Sequence, residues 1–448
     1  MIFNPGIPFF PKKIPFFYGW IILGLGSLGI IMSIPGQTIG VSVFTDYLID
    51  ALGIDRIRLS LAYLLGTFGS AFIISYAGKL YDRLGARAIG TITSVALGAL
   101  LLILSQIQNI LGFLTQTFSA ISSEWIAFTL ITLGFFGLRF LGQGVLTMVS
   151  RNMVMKWFED HRGFANAILG TATAFGFSYA PRLLINLIRQ FKWDGTWNVL
   201  GWIIGIGFTL IFYLLSRDNP EECGLIPDGN QFHKKKHKAI KTHPVTNFSV
   251  KEAKRTFSFW IFTLILSMFA LFITGLTFHI VSIFKEAGMD QNAAVSIFLP
   301  AAIISVILNF AVSWISDYIK LKYILLLEAL GLMICMCALV FLAPGWPVLL
   351  LIIGNGINGG AFGILSTVVW PRFYGTNHLG SISGYAMGWL VAGSALGPTL
   401  LSLSLRYTQT YATAGIVCLG LTFVLFILGF RAEQPLHPSK QAGDADPK

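Results

Sequence analysis

The sequence predicts an all-α integral membrane protein with twelve transmembrane helices, arranged as two six-helix repeats. Of its 448 residues, 55% are hydrophobic and 11% are charged, with a mean hydropathy of +0.73. An ordinary soluble domain has roughly 25% charged residues. Twelve stretches approach the ~20 apolar residues that a membrane-spanning helix needs, and none alternates with the period of a β-strand. This composition argues against a soluble enzyme, a disordered chain and a nucleic-acid-binding protein.

The twelve apolar stretches define the predicted helices in order. The first follows Lys12 and Lys13 but is too long for a signal peptide, and no small-x-small cleavage site follows it, so we expect it to be retained. The stretches are 18–44, 59–77, 88–108, 125–150, 163–187, 196–216, 258–283, 293–316, 323–343, 347–369, 379–404 and 410–430.

The distribution of basic residues predicts the orientation. With the amino terminus in the cytoplasm, cytoplasmic segments hold 23 of the 31 Lys and Arg residues, outer segments hold seven, and Arg139 lies within the membrane. Such an excess marks the cytoplasmic side. We therefore expect a multi-pass protein of the plasma membrane or the bacterial inner membrane with both termini in the cytoplasm.

A polar segment divides the chain into predicted domains. Residues 217–257, with the basic run at 233–238, form a linker between a bundle at 1–216 and a bundle at 258–432. The linker is expected to be solvated, and its basic run also suits contact with anionic lipid headgroups. The tail at 433–448 has no apolar periodicity and is expected to be disordered.

The two halves contain matching loops and glycines. Asp82 and Asp317 match at an offset of 235, and Gly163 matches Gly380 at an offset of 217. The difference of 18 between the offsets is accounted for by extra residues near 109–124 in the first half. The matches predict an internal duplication.

These motifs resemble those of the major facilitator superfamily. The loop after the second helix fits that family's G-x-x-x-D-R-x-G-R motif, and Arg139 begins a segment similar to its R-x-x-x-Q-G motif. The resemblance covers nearly the whole chain and implies two six-helix bundles around a central cavity that opens to alternate sides. The matching loop residues are Gly78, Asp82, Arg83, Gly85 and Arg87.

Within the superfamily the chain resembles the monocarboxylate and oxalate/formate branch. The supporting segments are Tyr18-Gly19-Trp20, Ser42-Val43-Phe44 and the residues from Phe373 to Gly380. That branch typically has a substrate-binding arginine in helix 8. Here helix 8 contains no arginine or lysine, and its notable polar residue is Asn309.

The loop motif is interpreted as a conformational latch. Asp82 can accept hydrogen bonds from the exposed backbone N–H groups of a nearby helix start, and Asp317 is its counterpart in the second half. Arg83 and Arg87 can pair with acids or anionic headgroups, while Gly78 and Gly85 allow helix ends to approach. The alternative is that the motif only anchors the topology.

Arg139 is the predicted anchor for an anionic substrate. A lone charge inside the membrane costs about 2.5 kcal/mol or more, so it should face a wet cavity or a partner. Gln143 lies four residues on, on the same helix face. Arg139 attracts an anion or gates proton movement in this interpretation; in the alternative it is structural and binds backbone carbonyls of a neighbouring helix.

Further polar and aromatic residues are candidates to line the cavity. Asn355 and Asn358 lie in a glycine-rich stretch of helix 10 with GxGxxG spacing, which neither follows a strand nor opens a βαβ unit and so does not indicate a dinucleotide site. Helix–helix packing is the alternative role for these residues. The other candidates are Gln37, Tyr63, Asn309, Tyr385 and Trp389.

Few groups suit proton coupling. His279 has a reference pKa of about 6.5 and is a coupling candidate, with a purely hydrogen-bonded histidine as the alternative. Glu328 follows Lys322 by six residues and is expected near the cytoplasmic surface. The four cysteines suggest neither a disulfide framework nor a zinc site, and no cofactor or metal is implied.

The sequence therefore predicts a secondary transporter of a small organic anion, such as a monocarboxylate, that works by alternating access. Its partners would be the solute, either with a proton or in exchange, and membrane lipid; a monomer is expected and nucleic acid is not. The alternatives are an exporter of an amphiphilic metabolite, siderophore or drug-like compound, and a non-transporting membrane sensor. No sequence motif of an enzyme is present.

Overall fold

The computed structural model describes residues 6–229 and 247–435, and every regular element in these ranges is helical. The basic run at 233–238, most of the predicted linker and the tail from 436 onward lie outside the described residues. The predictions made for those segments stay predictions.

Residues 6–229 of the first half form nine α-helices and two π-helical segments. Their bounds are α1 Gly19–Met32, α2 Thr38–Ser42, α3 Thr45–Leu52, α4 Arg56–Ser105, α5 Ile107–Thr117, α6 Ser123–Leu138, a π-helix Arg139–Leu146, α7 Thr147–Trp157, α8 Arg162–Trp202, a π-helix Ile203–Phe208, and α9 Thr209–Leu215.

Residues 247–435 of the second half form eight α-helices, of which six are long. Their bounds are α10 Val250–Ala253, α11 Phe257–Glu286, α12 Gln291–Ser296, α13 Phe298–Ile315, α14 Leu321–Val340, α15 Trp346–Tyr374, α16 Leu379–Thr408 and α17 Ala412–Gly429.

Nine helices in the described ranges are long and apolar enough to cross a membrane. Two of them, Ile57–Ser105 and Arg162–Leu215, are 49 and 54 residues long, which is twice the usual span, and α1 is a shorter apolar helix. Each of these two double-length helices covers two of the predicted stretches. Counted in this way the structure contains all twelve, and the prediction of an all-α membrane fold is confirmed.

The two double-length helices each turn at a single residue. In α4 the turn is Gly85, with φ of 85° and ψ of 171°, a conformation that is essentially restricted to glycine. In α8 it is Lys192, with φ of 62°. The sequence predicted a ten-residue loop at 78–87. Helical structure instead continues to the turn, because helices extend beyond the apolar stretch that identifies them.

The first predicted helix is not continuous. The stretch 18–44 was expected to be one helix, but α1 ends at Met32, a 3₁₀ turn occupies Ile34–Gly36, and α2 begins at Thr38. Pro35 has no backbone N–H to donate and Gly36 is a poor helix former. Together they account for the break.

The chain divides into two compact units, each containing a short segment from the other half of the sequence. The first comprises Met1–Phe158, Ala172–Gln231 and Ser383–Val391; the second comprises Glu159–Thr171, Phe232–Ile382 and Ala392–Lys448. The bundle boundaries at 1–216 and 258–432 stay a prediction.

Glycines bring helices into backbone contact within each unit. In the first unit, a Cβ on Gly66 would lie 2.7 Å from the Thr132 carbonyl oxygen. In the second, a Cβ on Gly354 would lie 2.8 Å from the Gly331 carbonyl oxygen, and one on Gly397 would lie 2.0 Å from the Leu271 carbonyl oxygen. Small residues allow this close packing where the hydrophobic effect does not drive association.

Candidate functional site

The break between α1 and α2 is surrounded by polar side chains of the first unit, which we call the break cluster. Four of its seven members are buried, namely Ser33, Arg139, Gln143 and Thr147. Four of the predicted substrate residues lie in it, joined by three hydroxyl residues that the sequence analysis did not single out. The members are Ser33, Gln37, Thr38, Tyr63, Arg139, Gln143 and Thr147.

Arg139 lies in the fourth transmembrane segment and contacts the break between α1 and α2. Its side chain is fully buried. Nη1 donates to the Gly36 carbonyl oxygen at 3.3 Å and to Thr38 Oγ1 at 3.2 Å. The guanidinium also lies over the Tyr63 ring, 5.3 Å from its centroid. Arg139 therefore binds both backbone and side-chain oxygens at the break, and stacks on an aromatic ring.

Hydroxyl and amide groups connect the rest of the break cluster. Tyr63 and Thr38 share a hydrogen bond between their hydroxyl oxygens at 2.9 Å. Gln37 Nε2 donates to Ser33 Oγ at 3.0 Å and to Thr147 Oγ1 at 3.2 Å. These bonds hold the side chains at the break in a defined arrangement, which a binding site requires.

Two glycines create the space for the break cluster. A Cβ on Gly36 would lie 2.2 Å from the Leu138 carbonyl oxygen, and one on Gly142 would lie 2.8 Å from Gly36 Cα. The facing segment, Arg139–Leu146, is a π-helix, a rare form that is frequently found at functional sites. A broken helix here packs directly against an irregular one.

Gln143 lies beside Arg139 in the π-helical segment. Its side chain is 9% exposed. Within the described part of the chain, Gln143 Oε1 has no hydrogen-bond partner. A buried acceptor without a donor is costly, so Gln143 is suited to accept a hydrogen bond from a solute or water.

The remaining predicted substrate residues lie elsewhere. Asn309 and Asn358 belong to the second unit, where both are buried between helices; Asn309 Nδ2 donates to the Gly360 carbonyl oxygen at 3.3 Å. Asn355 is half-buried on α15. Tyr385 is half-buried and Trp389 is exposed, both on the segment Ser383–Val391 of the first unit.

The loop motif is built around a carboxylate that the sequence analysis missed. Asp218 Oδ1 accepts a hydrogen bond from the Arg87 backbone N–H at 2.8 Å, and a Cβ on Gly85 would lie 2.2 Å from Asp218 Oδ2. Asp218 therefore caps the helix that begins after Gly85. Gly78 is buried, Asp82 is half-buried and Arg83 is exposed.

Arg87 is buried rather than facing solvent. Its Nε donates to the Tyr213 carbonyl oxygen at 2.7 Å and its Nη2 donates to the Ile7 carbonyl oxygen at 2.8 Å. The side chain is 2% exposed. It ties the amino-terminal segment to α9, a role that its position in the motif did not reveal.

Asp317 caps the start of α8. It accepts a hydrogen bond from the Gly163 backbone N–H near the start of α8 and pairs with Arg372 Nη2 at 2.8 Å. Burial raises the pKa of Asp317 above its ordinary value, against the opposing influence of Arg372. On acidification the ion pair is therefore lost at a higher pH than an exposed pair would be.

His279 connects α11 to α16 in the second unit. Its Nε2 lies 3.0 Å from the Pro398 carbonyl oxygen and 3.1 Å from Ser402 Oγ. The imidazole is also 5.6 Å from the Tyr411 ring, centroid to centroid. These contacts fit the hydrogen-bonded alternative; a coupling role stays a prediction.

Glu328 is the second residue that the sequence analysis underrated. Its side chain is completely buried within α14, seven residues after that helix begins at Leu321. Its expected position near the cytoplasmic surface stays a prediction. The sequence signal was present, because apolar residues flank Glu328 on both sides. Across the described residues, no group of three or more His, Cys, Asp or Glu side chains is arranged to hold a metal ion.

The sequence profile of the Major Facilitator Superfamily matches residues 25–398. The chain belongs to this superfamily. It is therefore a multi-pass membrane transporter rather than an enzyme. The match gives no finer assignment, so the monocarboxylate and oxalate/formate branch stays a proposal. No curated protein sequence is similar enough to match the chain.

Solved structures of superfamily transporters share the fold. The human organic anion transporter TETRAN superposes with a TM-score of 0.64 at 14% identity, covering 92% of this chain and 99% of the other. A bacterial homologue of the iron transporter ferroportin gives 0.67 at 13%, with 92% and 99% coverage. The transporter FucP gives 0.63 at 15%, with 93% and 100% coverage. The relatives differ in substrate, so they establish the fold alone.

Proposed function

We propose that this protein is a secondary active transporter of a small organic anion, which binds at the break cluster with Arg139 as its electrostatic anchor. The observation that carries the proposal is the fully buried guanidinium at a break in the first transmembrane helix. Many secondary transporters bind substrates near the middle of the membrane where helices are discontinuous, because unpaired backbone groups are available there.

The chemistry of Arg139 favours a carboxylate. A guanidinium presents five N–H donors in a planar fork that matches the two oxygens of a carboxylate. Tyr63 and Thr38 place hydroxyl groups beside it, and Gln143 adds an amide on the same helix face. A small acid would therefore meet one cation and several neutral hydrogen-bonding groups.

The structural alternative for Arg139 is also supported by a contact. Because Nη1 donates to the Gly36 carbonyl oxygen, Arg139 stabilises a backbone acceptor that the helix break exposes. A purely structural arginine would need only this contact. The two roles differ in what a substitution does to stability and to transport.

Exchange across proteoliposome membranes separates the two roles. Vesicles containing an unlabelled short carboxylate would be diluted into a solution of the same carboxylate in labelled form, with equal pH inside and outside. We expect labelled acid to enter through the wild type, and Arg139→Gln to abolish entry while the protein stays monodisperse. Arg139→Lys should retain part of the activity, because it keeps the charge but not the fork.

Arg189→Gln is the matched control, since Arg189 is an exposed arginine away from the break cluster. It should exchange like the wild type. Exchange that survives in folded Arg139→Gln would show that Arg139 is structural. Exchange of a neutral or amphiphilic compound but of no acid would favour the exporter alternative, and no exchange of any solute would favour the sensor.

The remaining expectations belong to the same proposal. We infer cytoplasmic termini in a plasma or bacterial inner membrane, latch roles for Gly78, Asp82, Arg83, Gly85, Arg87 and Asp317, and contributions to the solute path from Gln37, Asn309, Asn355, Asn358, Tyr385 and Trp389. Transport is coupled to a proton or to a second anion, with His279 as a coupling candidate. A monomer in contact with membrane lipid is sufficient for this mechanism.

A further inference from the structure

Glu328 is a carboxyl group buried in a membrane-spanning helix outside the break cluster. Its side chain is 0% exposed. Within the described ranges, neither carboxyl oxygen has a hydrogen-bond partner. An ionised carboxylate in such a place has neither water nor donors to stabilise it, so it is expensive. An acid kept in a membrane helix at this cost usually serves the transported ion or solute.

Gly331 and Cys335 of α14 contact α15, and Glu328 precedes them by three and seven residues, spacings that place it on the same helix face. We call this contact the α14–α15 seam and define it by Glu328, Gly331, Cys335 and Asn358. A Cβ on Gly331 would lie 2.6 Å from Asn358 Oδ1, and Asn358 Nδ2 lies 3.7 Å from Cys335 Sγ. Among the described residues Asn358 Oδ1 also has no hydrogen-bond partner, and Asn358 is 0% exposed. The seam thus has acceptors in excess of donors.

The charged groups near the seam are engaged with other residues. Helix α14 packs against α11, α15 and α17. Arg372 pairs with Asp317, and Lys322 pairs with Glu433. The other titratable or charged side chains on these four helices are Tyr323, Cys335 and Cys337 on α14, His279, Lys285 and Glu286 on α11, Tyr374 on α15 and Cys418 on α17.

Burial without a cation or a donor favours the neutral acid, which carries a proton. We propose that Glu328 is a proton-binding site that couples solute transport to the proton gradient. The carboxyl holds its proton while α14 and α15 are packed together and releases it when the seam opens to water. The proposal rests on the transport function proposed above, and it names the ion that the sequence left open.

Helix α15 connects the seam to the rest of the second unit. Its glycine-rich stretch contacts α14 on one side, where a Cβ on Gly354 would lie 2.7 Å from Cys335 Sγ, and α13 on the other. On that second side, a Cβ on Gly360 would lie 3.1 Å from the Asn309 backbone nitrogen. Helix α15 is therefore packed closely against both the seam and the backbone at Asn309.

Glu328→Gln tests the proposal, since glutamine has the shape of the neutral acid but cannot exchange a proton. Purified variant and wild type would be compared in proteoliposomes for exchange at equal pH and for accumulation under an inward proton gradient. We expect Glu328→Gln to retain exchange and to lose accumulation. Glu286→Gln, at an exposed glutamate on α11, should retain both.

The other outcomes overturn the proposal. Accumulation that survives in Glu328→Gln would show that the buried acid is only structural. Loss of both exchange and accumulation in a folded variant would show that Glu328 is needed for the conformational change and not for coupling. Failure of the wild type to exchange any acid would refute the proposed function instead, which keeps the two failures distinct.

Chemical labelling tests Glu328 without any transported solute. Dicyclohexylcarbodiimide enters membranes and reacts with protonated carboxyl groups. We expect mass spectrometry of the labelled wild type to find the adduct on Glu328 at neutral pH, with less adduct as the pH rises, and to find none at that position in Glu328→Gln. An unlabelled Glu328 across this range would contradict a proton-binding role.

Discussion

Asp317 and Glu433 both accept hydrogen bonds from basic side chains, but they differ in burial. Asp317 pairs with Arg372 and caps α8 at Gly163, with both ionic side chains largely buried. Glu433 is itself exposed where it contacts Lys320 and Lys322, although Lys322 is only 16% exposed. Removing one partner of a buried pair leaves the other unsatisfied, whereas an exposed pair is replaced by water.

Asp317→Ala should therefore destabilise the protein by about 1–3 kcal/mol, since it removes the hydrogen-bond acceptor at the start of α8 and leaves Arg372 without its partner. Thermal unfolding of the detergent-solubilised protein measures the effect. Glu433→Ala is the matched control and should leave the melting temperature nearly unchanged, because Glu433 is exposed. Equal shifts for the two variants would show that burial of Asp317 is unimportant.

At the scale of elements, the contact of the first helix with the fourth segment depends on Gly36 and Gly142. Gly142→Ala should lower stability by about 1–3 kcal/mol because the backbones are too close for a Cβ, and it should reduce exchange because the break cluster shifts. Gly24→Ala is the control: a Cβ there meets nothing within 4 Å. If both alanine variants exchange and melt alike, the packing of the break is not important for transport.

The turn at Gly85 makes a second prediction for an element. Gly85→Ala places a side chain at φ of 85° and against the Asp218 carboxylate, at a cost of roughly 1–3 kcal/mol for the backbone alone. Gly112→Ala in α5, where a Cβ has open space, should instead be neutral or stabilising. Expression and melting temperature of the two variants would show the difference, and a stable Gly85→Ala would refute the assigned turn.

Sequence patterns predicted the helices well because lipid imposes their length and composition. They did not predict where a helix breaks inside an apolar stretch: Pro35 and Gly36 are signals, yet similar residues are tolerated elsewhere, as at Pro181 within α8. Nor did they predict Asp218 as the cap beside Gly85. Asp218 accepts its hydrogen bond from Arg87, which lies 131 residues earlier in the sequence. A local sequence pattern cannot predict a contact over such a separation.

The candidate site was predicted in part for the same reason. Arg139, Gln143, Gln37 and Tyr63 share the break cluster, since a charge or amide in a membrane helix stands out in the sequence. Ser33, Thr38 and Thr147 did not stand out, because hydroxyl residues in membrane helices often bond only to their own backbone.

For the whole molecule, the excess of basic residues predicts the orientation. Lys79→Cys and Lys285→Cys, each exposed and each placed in a background without the four native cysteines, would be treated in intact cells with a membrane-impermeant maleimide. We expect labelling of the cysteine at 285 from outside, and labelling of the one at 79 only after permeabilisation. The opposite pattern would invert the topology.

The most direct test of the central claim is uptake of labelled short mono- and dicarboxylates into proteoliposomes of the wild type, with and without an inward proton gradient. The account predicts that at least one acid enters, that the gradient drives its accumulation above the external concentration, and that a neutral compound of the same size does not accumulate. Absence of uptake for every acid, by protein shown to be folded, would contradict an organic-anion transporter and leave the superfamily fold in place.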